Sequence, residues 1–281
     1  MHNQYCLVFA QKKEITDSIG YAQRIQAAIL PHKTYLDKLI PEYFVLYKPR
    51  DIVSGDFYWI KEVESSIVIV VADCTGHGVP GAFMSMLGIT LLNEQFVEGR
   101  SNKPGEILGE LRTKVKAMLV QEGTIRDQKD GMDMAIAIIN KEKKELQFAG
   151  AYNPLYLIRH RKQLTGKEPG SETLPEGEDY LLVELKGDKQ PIGIHWEETG
   201  FRNQVIGLKE NDSVYVFSDG YVDQFGGSHR KKFKTQKFKE LLLSVQPESM
   251  EKQKQIIEKT FEVWRGDMEQ IDDICVVGVR V

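Results

Sequence analysis

The order of helical and strand-like segments constrains the fold of this 281-residue chain more than any other feature. Strand-like runs rich in β-branched and aromatic residues occur at 43–47, 66–72, 134–139, 146–149, 155–159, 180–185, 201–206, 213–217 and 274–279. Apolar residues at helical spacing occur at 81–96, 104–119, 235–245 and 250–264. Helices therefore come in pairs between blocks of consecutive strands, which disfavours a repeated βαβ parallel sheet. This order favours antiparallel sheets with helices outside, and residues 140–145 are expected to connect a hairpin.

A further amphipathic helix is predicted ahead of these segments, at residues 14–30. Its apolar residues recur every three or four positions, and they are Ile15, Ile19, Ala22, Ile25 and Ile29. Pro31 ends the pattern, because proline cannot continue an α-helix. Two interpretations stay open. The helix packs on its own domain, or its roughly two heptads form a short coiled coil that makes a dimer or links to a regulator.

Composition and charge argue against several classes of protein. The formal net charge of −4 gives no support for a nucleic-acid groove, which needs a basic stripe. No apolar run reaches the roughly 18–20 residues that cross a bilayer, and residues 1–13 lack the basic start of a secretory signal. Cys6, Cys74 and Cys275 are too scattered for a disulfide framework or a cysteine-rich zinc site. We therefore expect a cytoplasmic protein without a membrane span. Residues 162–178 are rich in glycine, proline and glutamate and are expected to form a surface loop.

Four aspartates stand where apolar strands begin or end. Asp56 follows a Ser-Gly pair and precedes an aromatic run, and Asp73 ends a buried strand just before a glycine-rich loop. Asp219 ends another apolar strand, and Asp272 leads together with Asp273 into the last one. A single aspartate in such a position is more often a turn or helix-cap residue. Four of them, each joined to a strongly apolar strand, favour a shared site.

Such a site suits hard cations. Mg²⁺ and Mn²⁺ prefer carboxylate, carbonyl and water oxygens. Two such ions about 3.5–4 Å apart hold a bridging water, lower its pKa and clamp a phosphate during in-line attack. The sequence contains no cysteine–histidine cluster with zinc spacing, no Gly-x-Ser-x-Gly elbow and no phosphate-binding Gly-Lys-[Ser/Thr] loop. The residues therefore predict a two-metal site for phosphate chemistry.

Together these motifs resemble a known family. They are Ser54-Gly55-Asp56-Phe57-Tyr58, Ala72-Asp73-Cys74-Thr75-Gly76-His77-Gly78, Ser218-Asp219-Gly220 and Asp272-Asp273-Ile274, with further similarity at 24–31, 149–154 and 190–193. The ordered set resembles the SpoIIE/RsbU branch of the PP2C-like (PPM) metal-dependent protein serine/threonine phosphatases, over roughly residues 22–281. The resemblance implies an α+β fold, a central sandwich of two antiparallel β-sheets flanked by helices (PP2C-like αββα) and preceded by the N-terminal amphipathic helix. The domains would be a linker or dimerisation helix at 1–36 and a phosphatase domain at 37–281.

The same resemblance implies a centre of two Mn²⁺ or Mg²⁺ ions. Carried over motif by motif, Asp56 and Asp73 are the core ligands, and the backbone carbonyl of Cys74 supplies a further oxygen. Asp219 and Asp272 complete the site. Asp273 is then a neighbour, although the sequence alone leaves it interchangeable with Asp272.

Other residues are candidates for supporting roles. His77 is a candidate general acid for the leaving serine oxygen, against the simpler role of a hydrogen bond within its Gly-His-Gly loop. Animal-type members of the family carry a phosphate-binding arginine upstream and a glutamate before the first aspartate, whereas this chain has Gly55 there and Arg50 as its nearest arginine. The remaining candidates are Asp130 and Asp133 for a third cation or a polar strand entry, Asp223 for the turn after Asp219, and Asn153 for orienting its loop.

The expected function is hydrolysis of phosphoserine or phosphothreonine on a bacterial signalling protein by a metal-bridging water. The resemblance implies a STAS-type anti-anti-sigma factor or another phosphorelay component as substrate. It also implies regulation through a homodimer or an upstream sensor. A catalytically silent metal-binding signalling module is the alternative. A site that no longer catalyses usually loses metal ligands, however, and these aspartates are intact. A two-metal nuclease is a third possibility, against which the acidic balance weighs.

Overall fold

The computed structural model describes residues 2–97, 103–122, 129–164 and 179–281, apart from the side chains of residues 2–7 and 97. Its helices are α1 (His2–Ile29), α2 (Lys33–Leu39), α3 (Gly78–Val97), α4 (Pro104–Met118), α5 (Gly220–Asp223), α6 (Thr235–Ser244) and α7 (Met250–Arg265). Its strands are β1 (Tyr43–Lys48), β2 (Phe57–Val63), β3 (Ser66–Cys74), β4 (Met132–Asn140), β5 (Glu145–Ala151), β6 (Leu155–His160), β7 (Tyr180–Leu185), β8 (Gln204–Gly207), β9 (Ser213–Phe217), β10 (Phe225–Gly226), β11 (Lys231–Lys232) and β12 (Ile274–Arg280). The loop predicted at 162–178 lies outside the described residues from position 165 onward.

Two five-stranded sheets form the centre of the fold, in the orders β1-β12-β9-β6-β7 and β2-β3-β4-β5-β8. All strand pairs within them are antiparallel. The predicted hairpin between β4 and β5 is confirmed, because Asn140 is paired with Glu145. β10 and β11 form a separate two-stranded ribbon. The predicted sandwich of antiparallel sheets is therefore confirmed.

Side chains that alternate along the strands build three apolar layers. Val71 of β3 and Val277 of β12 lie in the core between the two sheets. Val70 points the other way and packs in a cluster with Leu92 of α3 and residues of α4. On the outer face of the sheet that contains β12, Val276 packs in a cluster with residues of α6 and α7. The result is a helix–sheet–sheet–helix arrangement that leaves the strand ends open at the rims of the sandwich.

Several element boundaries differ from the sequence pattern. α1 begins well before the predicted residue 14, but it ends at Ile29, ahead of Pro31 as predicted. β8 begins at Gln204 rather than at residue 201, because Phe201 packs against the α4 side, where the Arg112 guanidinium lies 4.8 Å from its ring centre. The pattern does not predict α2, whose seven residues bury only Leu36 and are too few to show a helical period.

The length and hydropathy of the helices also bear on a membrane span. None of the helices within the described ranges is both long enough and apolar enough to cross a bilayer.

Candidate metal centre

The four predicted aspartates come from both sheets. Asp56 directly precedes β2 and Asp73 is the next-to-last residue of β3, and these two strands are neighbours in one sheet. Asp219 lies between β9 and α5, and Asp272 lies two residues before β12. β9 and β12 are neighbours in the other sheet. Asp73 and Asp272 both line a cleft of about 320 Å³, so the cleft receives carboxylates from each sheet.

Burial and mutual repulsion raise the pKa values of these carboxyl groups. Burial raises the pKa of Asp56 well above its usual range, and the charges of the neighbouring carboxylates raise it further. The pKa of Asp73 is raised by burial first and then by the charges of Asp56, Asp219 and Asp272. Burial also raises the pKa of Asp219, followed by the charge of Asp272. The four groups therefore act on one another electrostatically.

The donor set of the cleft suits hard divalent cations. The predicted ligands supply carboxylate oxygens, and burial raises the pKa of the Cys74 thiol, so that this residue offers a carbonyl oxygen rather than a thiolate. A cation also removes the repulsion that raises the carboxyl pKa values. Within the described ranges, no three acidic, histidine or cysteine side chains already stand in the geometry of a bound ion. The residues thus fit divalent cations by donor type and by charge.

Asp272 and Asp273, which the sequence leaves interchangeable, have different surroundings. Asp273 is buried, and its two carboxylate oxygens accept hydrogen bonds from the backbone N–H groups of Arg50 and Gly55, each at 2.7 Å. Asp272 is half-buried, lines the cleft, and accepts one hydrogen bond, from the Asp273 N–H at 2.9 Å. Asp273 therefore fixes the loop ahead of Asp56, whereas Asp272 faces the cleft.

Two glycines, Gly55 and Gly81, allow the loops around the cleft to pack closely. A Cβ atom at Gly55 would lie 2.5 Å from the Gly76 carbonyl oxygen. A Cβ atom at Gly81 would lie 2.2 Å from the same oxygen and 2.8 Å from the Gly55 Cα. Real Cβ atoms do not approach other atoms so closely, so each position requires glycine for close approach. The Ser-Gly pair before Asp56 is thus explained by packing against the glycine-rich loop.

Three residues support Asp56 and the segment ahead of it through contacts that the sequence does not predict. Ser218 donates a hydrogen bond from its hydroxyl to the Asp56 carboxylate, and the Tyr47 hydroxyl donates to the Asp56 carbonyl at 3.0 Å. Gln26 of α1 is buried, and it donates to the Ser54 carbonyl at 2.7 Å and accepts from the Ser54 N–H at 3.0 Å. These contacts join residues that are separated along the chain, so no local sequence pattern predicts them.

The predicted candidate His77 lies at the edge of the same cleft. Its Nδ1 stands 2.7 Å from a carboxylate oxygen of Asp51, and both side chains are about half exposed. The following residue, Gly78, has a φ of +63°, a conformation that glycine adopts without strain. The turn and the Asp51 contact together hold the imidazole at the mouth of the cleft, next to Asp272 in the lining.

The structure separates the two aspartates considered for a third cation. Asp133 lies in β4 directly opposite Asp73 and lines the cleft, and burial raises its pKa to about 7. The Asp130 carbonyl accepts a hydrogen bond from Gln121, and Asp130 is not part of the lining. Asn153 lies buried between β5 and β6, also away from the cleft lining. Only Asp133 of these three therefore joins the carboxylates of the cleft.

Arg50 and Asp223 have defined partners. The Arg50 guanidinium donates to the Ile271 carbonyl at 3.0 Å, which places its charge beside Asp272 at the rim of the cleft. The Asp223 N–H donates to the Asp219 carbonyl at 3.0 Å, and its carboxylate pairs with Lys232 at 2.6 Å. Asp223 therefore supports the turn that follows β9.

Comparison with known proteins gives matches over most of this architecture. The family model described as Stage II sporulation protein E (SpoIIE) matches residues 64–281. The phosphoserine phosphatase RsbU of Bacillus subtilis is 24% identical over 215 residues, which cover 75% of this chain and 55% of RsbU. This chain thus spans about half the length of that curated relative.

Solved structures agree with the family match. The PP2C domain of SiaA from Pseudomonas aeruginosa superposes with a TM-score of 0.81 at 32% identity, covering 97% of this chain and 99% of that domain. The SpoIIE structure from Bacillus subtilis, which contains the PP2C phosphatase domain and part of its regulatory domain, gives a TM-score of 0.61 at 18% identity, covering 85% and 62%. Because the family model matches more than half of the chain, including Asp73, Asp219 and Asp272, the chain belongs to the SpoIIE family and has the fold of a PP2C domain.

Proposed function

We propose that this domain hydrolyses phosphoserine or phosphothreonine monoesters on a partner protein, with two Mn²⁺ or Mg²⁺ ions as cofactors. The observation that carries the proposal is a cluster of four carboxylates from two sheets, Asp56, Asp73, Asp219 and Asp272, whose charges raise one another's pKa values and of which Asp73 and Asp272 line the cleft. RsbU, which this chain resembles in sequence, is named a phosphoserine phosphatase. A STAS-type anti-anti-sigma factor or another bacterial phosphorelay protein is the substrate class we propose.

These four aspartates would hold the cations together with the Cys74 carbonyl. Bound divalent cations supply Lewis acidity and an acidified water, and they neutralise the phosphate charge. The protein's own contribution is to hold the ligands in place. Asp273 holds the backbone of Gly55 next to Asp56, Ser218 donates to the Asp56 carboxylate, and Asp133 adds negative charge opposite Asp73.

His77 is proposed as the general acid for the leaving serine oxygen. It stands at the mouth of the cleft, where an exposed imidazole reaches a protein substrate more readily than a buried one. The His77 Nδ1–H donates a hydrogen bond to the Asp51 carboxylate, which orients the ring with Nε2 turned away from that contact. A general acid in this position gives its proton to the serine oxygen as the phosphorus–oxygen bond breaks.

A phosphate-release assay tests the proposed hydrolysis. The chain is incubated with a phosphoserine peptide and with a phosphorylated STAS-domain protein, in MnCl₂, in MgCl₂ or in excess EDTA. We expect release with a divalent cation and none in EDTA, because carboxylates alone repel the phosphate. Turnover that persists in EDTA would contradict the proposal. Calorimetric cation binding without release from either substrate would instead favour a silent metal-binding module.

We also propose that residues 1–36 serve as a linker or dimerisation helix. Several apolar side chains of α1 are exposed in the single chain, and they are Val8, Phe9, Ile15, Tyr21, Ile25 and Ile29. Packing of these side chains against the same helix of a second copy would remove them from water. Sedimentation equilibrium should therefore give the mass of a dimer. A monomer mass that persists at high micromolar concentration would exclude the dimer.

The buried Gln26 links the same helix to the proposed centre. Through its two hydrogen bonds to Ser54, it connects α1 to the loop two residues ahead of Asp56. An upstream sensor that shifts α1 would therefore act on the Asp56 loop through this contact.

A further inference from the structure

Lys129 is the one lysine or arginine among the residues that line the cleft of the metal centre within the described part of the chain. The other basic side chain of that lining is His77, whose Nδ1 already contacts Asp51. The remaining charged side chains of the lining are all acidic, and they are Asp73, Asp133 and Asp272. Lys129 therefore supplies the permanent positive charge of a cleft that is otherwise rich in carboxylates.

The ammonium group of Lys129 has no partner of its own. Its side chain is exposed, and within the ranges that the structure describes it makes neither a hydrogen bond nor an ion pair. Other lysines of the fold are paired, as Lys116 is with Glu198 and Lys232 is with Asp223, each at 2.6 Å. The three N–H donors of Lys129 are therefore available to an anion in the cleft.

The backbone around Lys129 is fixed to the metal centre, although its side chain is not. The Gly131 N–H donates to the Thr75 hydroxyl at 3.0 Å, and the Thr75 N–H donates to the Gly131 carbonyl at 2.9 Å. Thr75 directly follows Cys74, whose carbonyl is a proposed cation ligand. The intervening Asp130 carbonyl accepts a hydrogen bond from the Gln121 side chain at 2.6 Å. A flexible lysine stem thus extends from a backbone that is held beside the proposed cations.

Arg50, the arginine nearest to the upstream position in the sequence, is placed differently. Its guanidinium donates to the Ile271 carbonyl at 3.0 Å, and its backbone N–H donates to the Asp273 carboxylate at 2.7 Å. It stands at the rim and is not among the residues that line the cleft. Arg50 therefore holds the segment ahead of β12, and an anion inside the cleft needs another cation.

The charge of the centre shows why a further cation is useful. Two divalent cations carry four positive charges, which the four proposed aspartate ligands cancel, and Asp133 adds negative charge opposite Asp73. A phosphate monoester carries nearly two negative charges at neutral pH. Bound cations attract it at contact, but the loaded centre as a whole has no net positive charge that would draw it from solution. An ammonium group in the lining supplies that attraction.

We propose that Lys129 binds the phosphate group of the substrate, and the inorganic phosphate that is released, through its ammonium group. The proposal rests on the phosphatase function proposed above, and it names the residue that recognises the anion where the upstream arginine is missing. Lysine binds phosphate oxygens as a point charge through charge-assisted hydrogen bonds. The contact therefore favours the phosphorylated form of a partner protein over its unphosphorylated form.

Anion binding tests this role without any turnover. Calorimetry in MgCl₂ gives the affinity of the full chain for inorganic phosphate and for a peptide with a non-hydrolysable phosphonate analogue of phosphoserine. Lys129→Gln should weaken both about tenfold or more, because it removes a charge-assisted hydrogen bond. Lys129→Arg keeps the charge and should stay within about threefold of the wild type.

Lys189→Gln is the matched control. It removes the same charge from an exposed lysine that lies two residues before Pro191 but outside the cleft lining, so both affinities should stay within about twofold. Binding of Mg²⁺ in the absence of phosphate should not weaken in any of these variants, because Lys129 is not a cation ligand. Where hydrolysis is measured, Lys129→Gln should raise KM about tenfold and change kcat less.

Three outcomes would overturn the proposal. One is a wild-type chain that binds neither anion in MgCl₂, and another is a Lys129→Gln variant that binds both as tightly as the wild type. The third is an equal loss in Lys189→Gln, since the effect would then come from the overall charge of the protein. Binding that depends on Lys129 in a chain without turnover would support the role of Lys129 and count against the proposed hydrolysis alone.

Discussion

Replacing Asp73 with asparagine is expected to reduce cation-dependent phosphate release about 1,000-fold, equivalent to about 4 kcal/mol of transition-state stabilisation. Asp73 stands at the end of β3, and its charge acts on Asp56, Asp219 and Asp272. An amide of the same shape keeps the packing but removes a full negative charge from the proposed cation site. The measurement is phosphate release at saturating MnCl₂, together with the cation affinity by calorimetry.

The same substitution should make the metal-free protein more stable. A carboxyl group whose pKa is higher in the folded state contributes stability below its unfolded pKa of about 3.9, and this contribution is lost as pH rises through the folded pKa. The pKa of Asp73 is raised by burial and by its neighbours, and that of Asp133 is raised to about 7. In EDTA, the free energy of unfolding of the wild type should therefore fall between pH 5 and pH 8. In Asp73→Asn it should fall less, leaving the variant about 1–2 kcal/mol more stable at pH 8.

Asp130→Asn is the matched control, because it makes the same chemical change near β4 but outside the cleft lining. It should retain phosphate release within about twofold and show the wild-type dependence of stability on pH. Opposite signs of the activity and stability effects would distinguish loss of a ligand from loss of folding. An Asp73→Asn variant with full activity, or one that is destabilised in EDTA, would contradict the role given to this carboxylate.

The sequence allows the fold to be predicted because its strongest patterns are local. The predicted bounds of β7 and β9 are those of the structure, since each is a short apolar run between turn residues. The antiparallel order follows from the absence of helices between consecutive strands. The start of β8 was predicted wrongly, because the apolar side chain of Phe201 packs with residues of α4 and is not part of the strand.

Within the site, the sequence identifies residue types but does not determine orientation. Asp272 and Asp273 are adjacent, and only the three-dimensional positions of Arg50 and Gly55 show which carboxylate is bound by backbone amides. The Asp51 partner of His77 lies 26 positions away along the chain, so no motif joins the two. Contacts of this kind depend on how the loops pack, and the close packing of these loops requires glycine at Gly55 and Gly81.

Substitution of one of these packing glycines, Gly81→Ala, is expected to destabilise the protein by about 2–3 kcal/mol and to lower the melting temperature by about 5 °C or more. The new methyl group would lie 2.2 Å from the Gly76 carbonyl oxygen and 2.8 Å from the Gly55 Cα, so backbone has to move. That movement separates the glycine-rich loop from the segment that leads into Asp56. Cation affinity should therefore fall together with the melting temperature, as measured by calorimetry and thermal unfolding.

Gly109→Ala in α4 provides the matched control for this prediction. It makes the same change within a helix, but its Cβ atom would meet nothing within 4 Å. Alanine at such a position is expected to stabilise the protein by about 0.5–1 kcal/mol, because it lowers the conformational entropy of the unfolded chain. The two variants should therefore shift the melting temperature in opposite directions. If Gly81→Ala also melted at or above the wild-type temperature and kept its cation affinity, close packing of the loops would not be what positions Asp56.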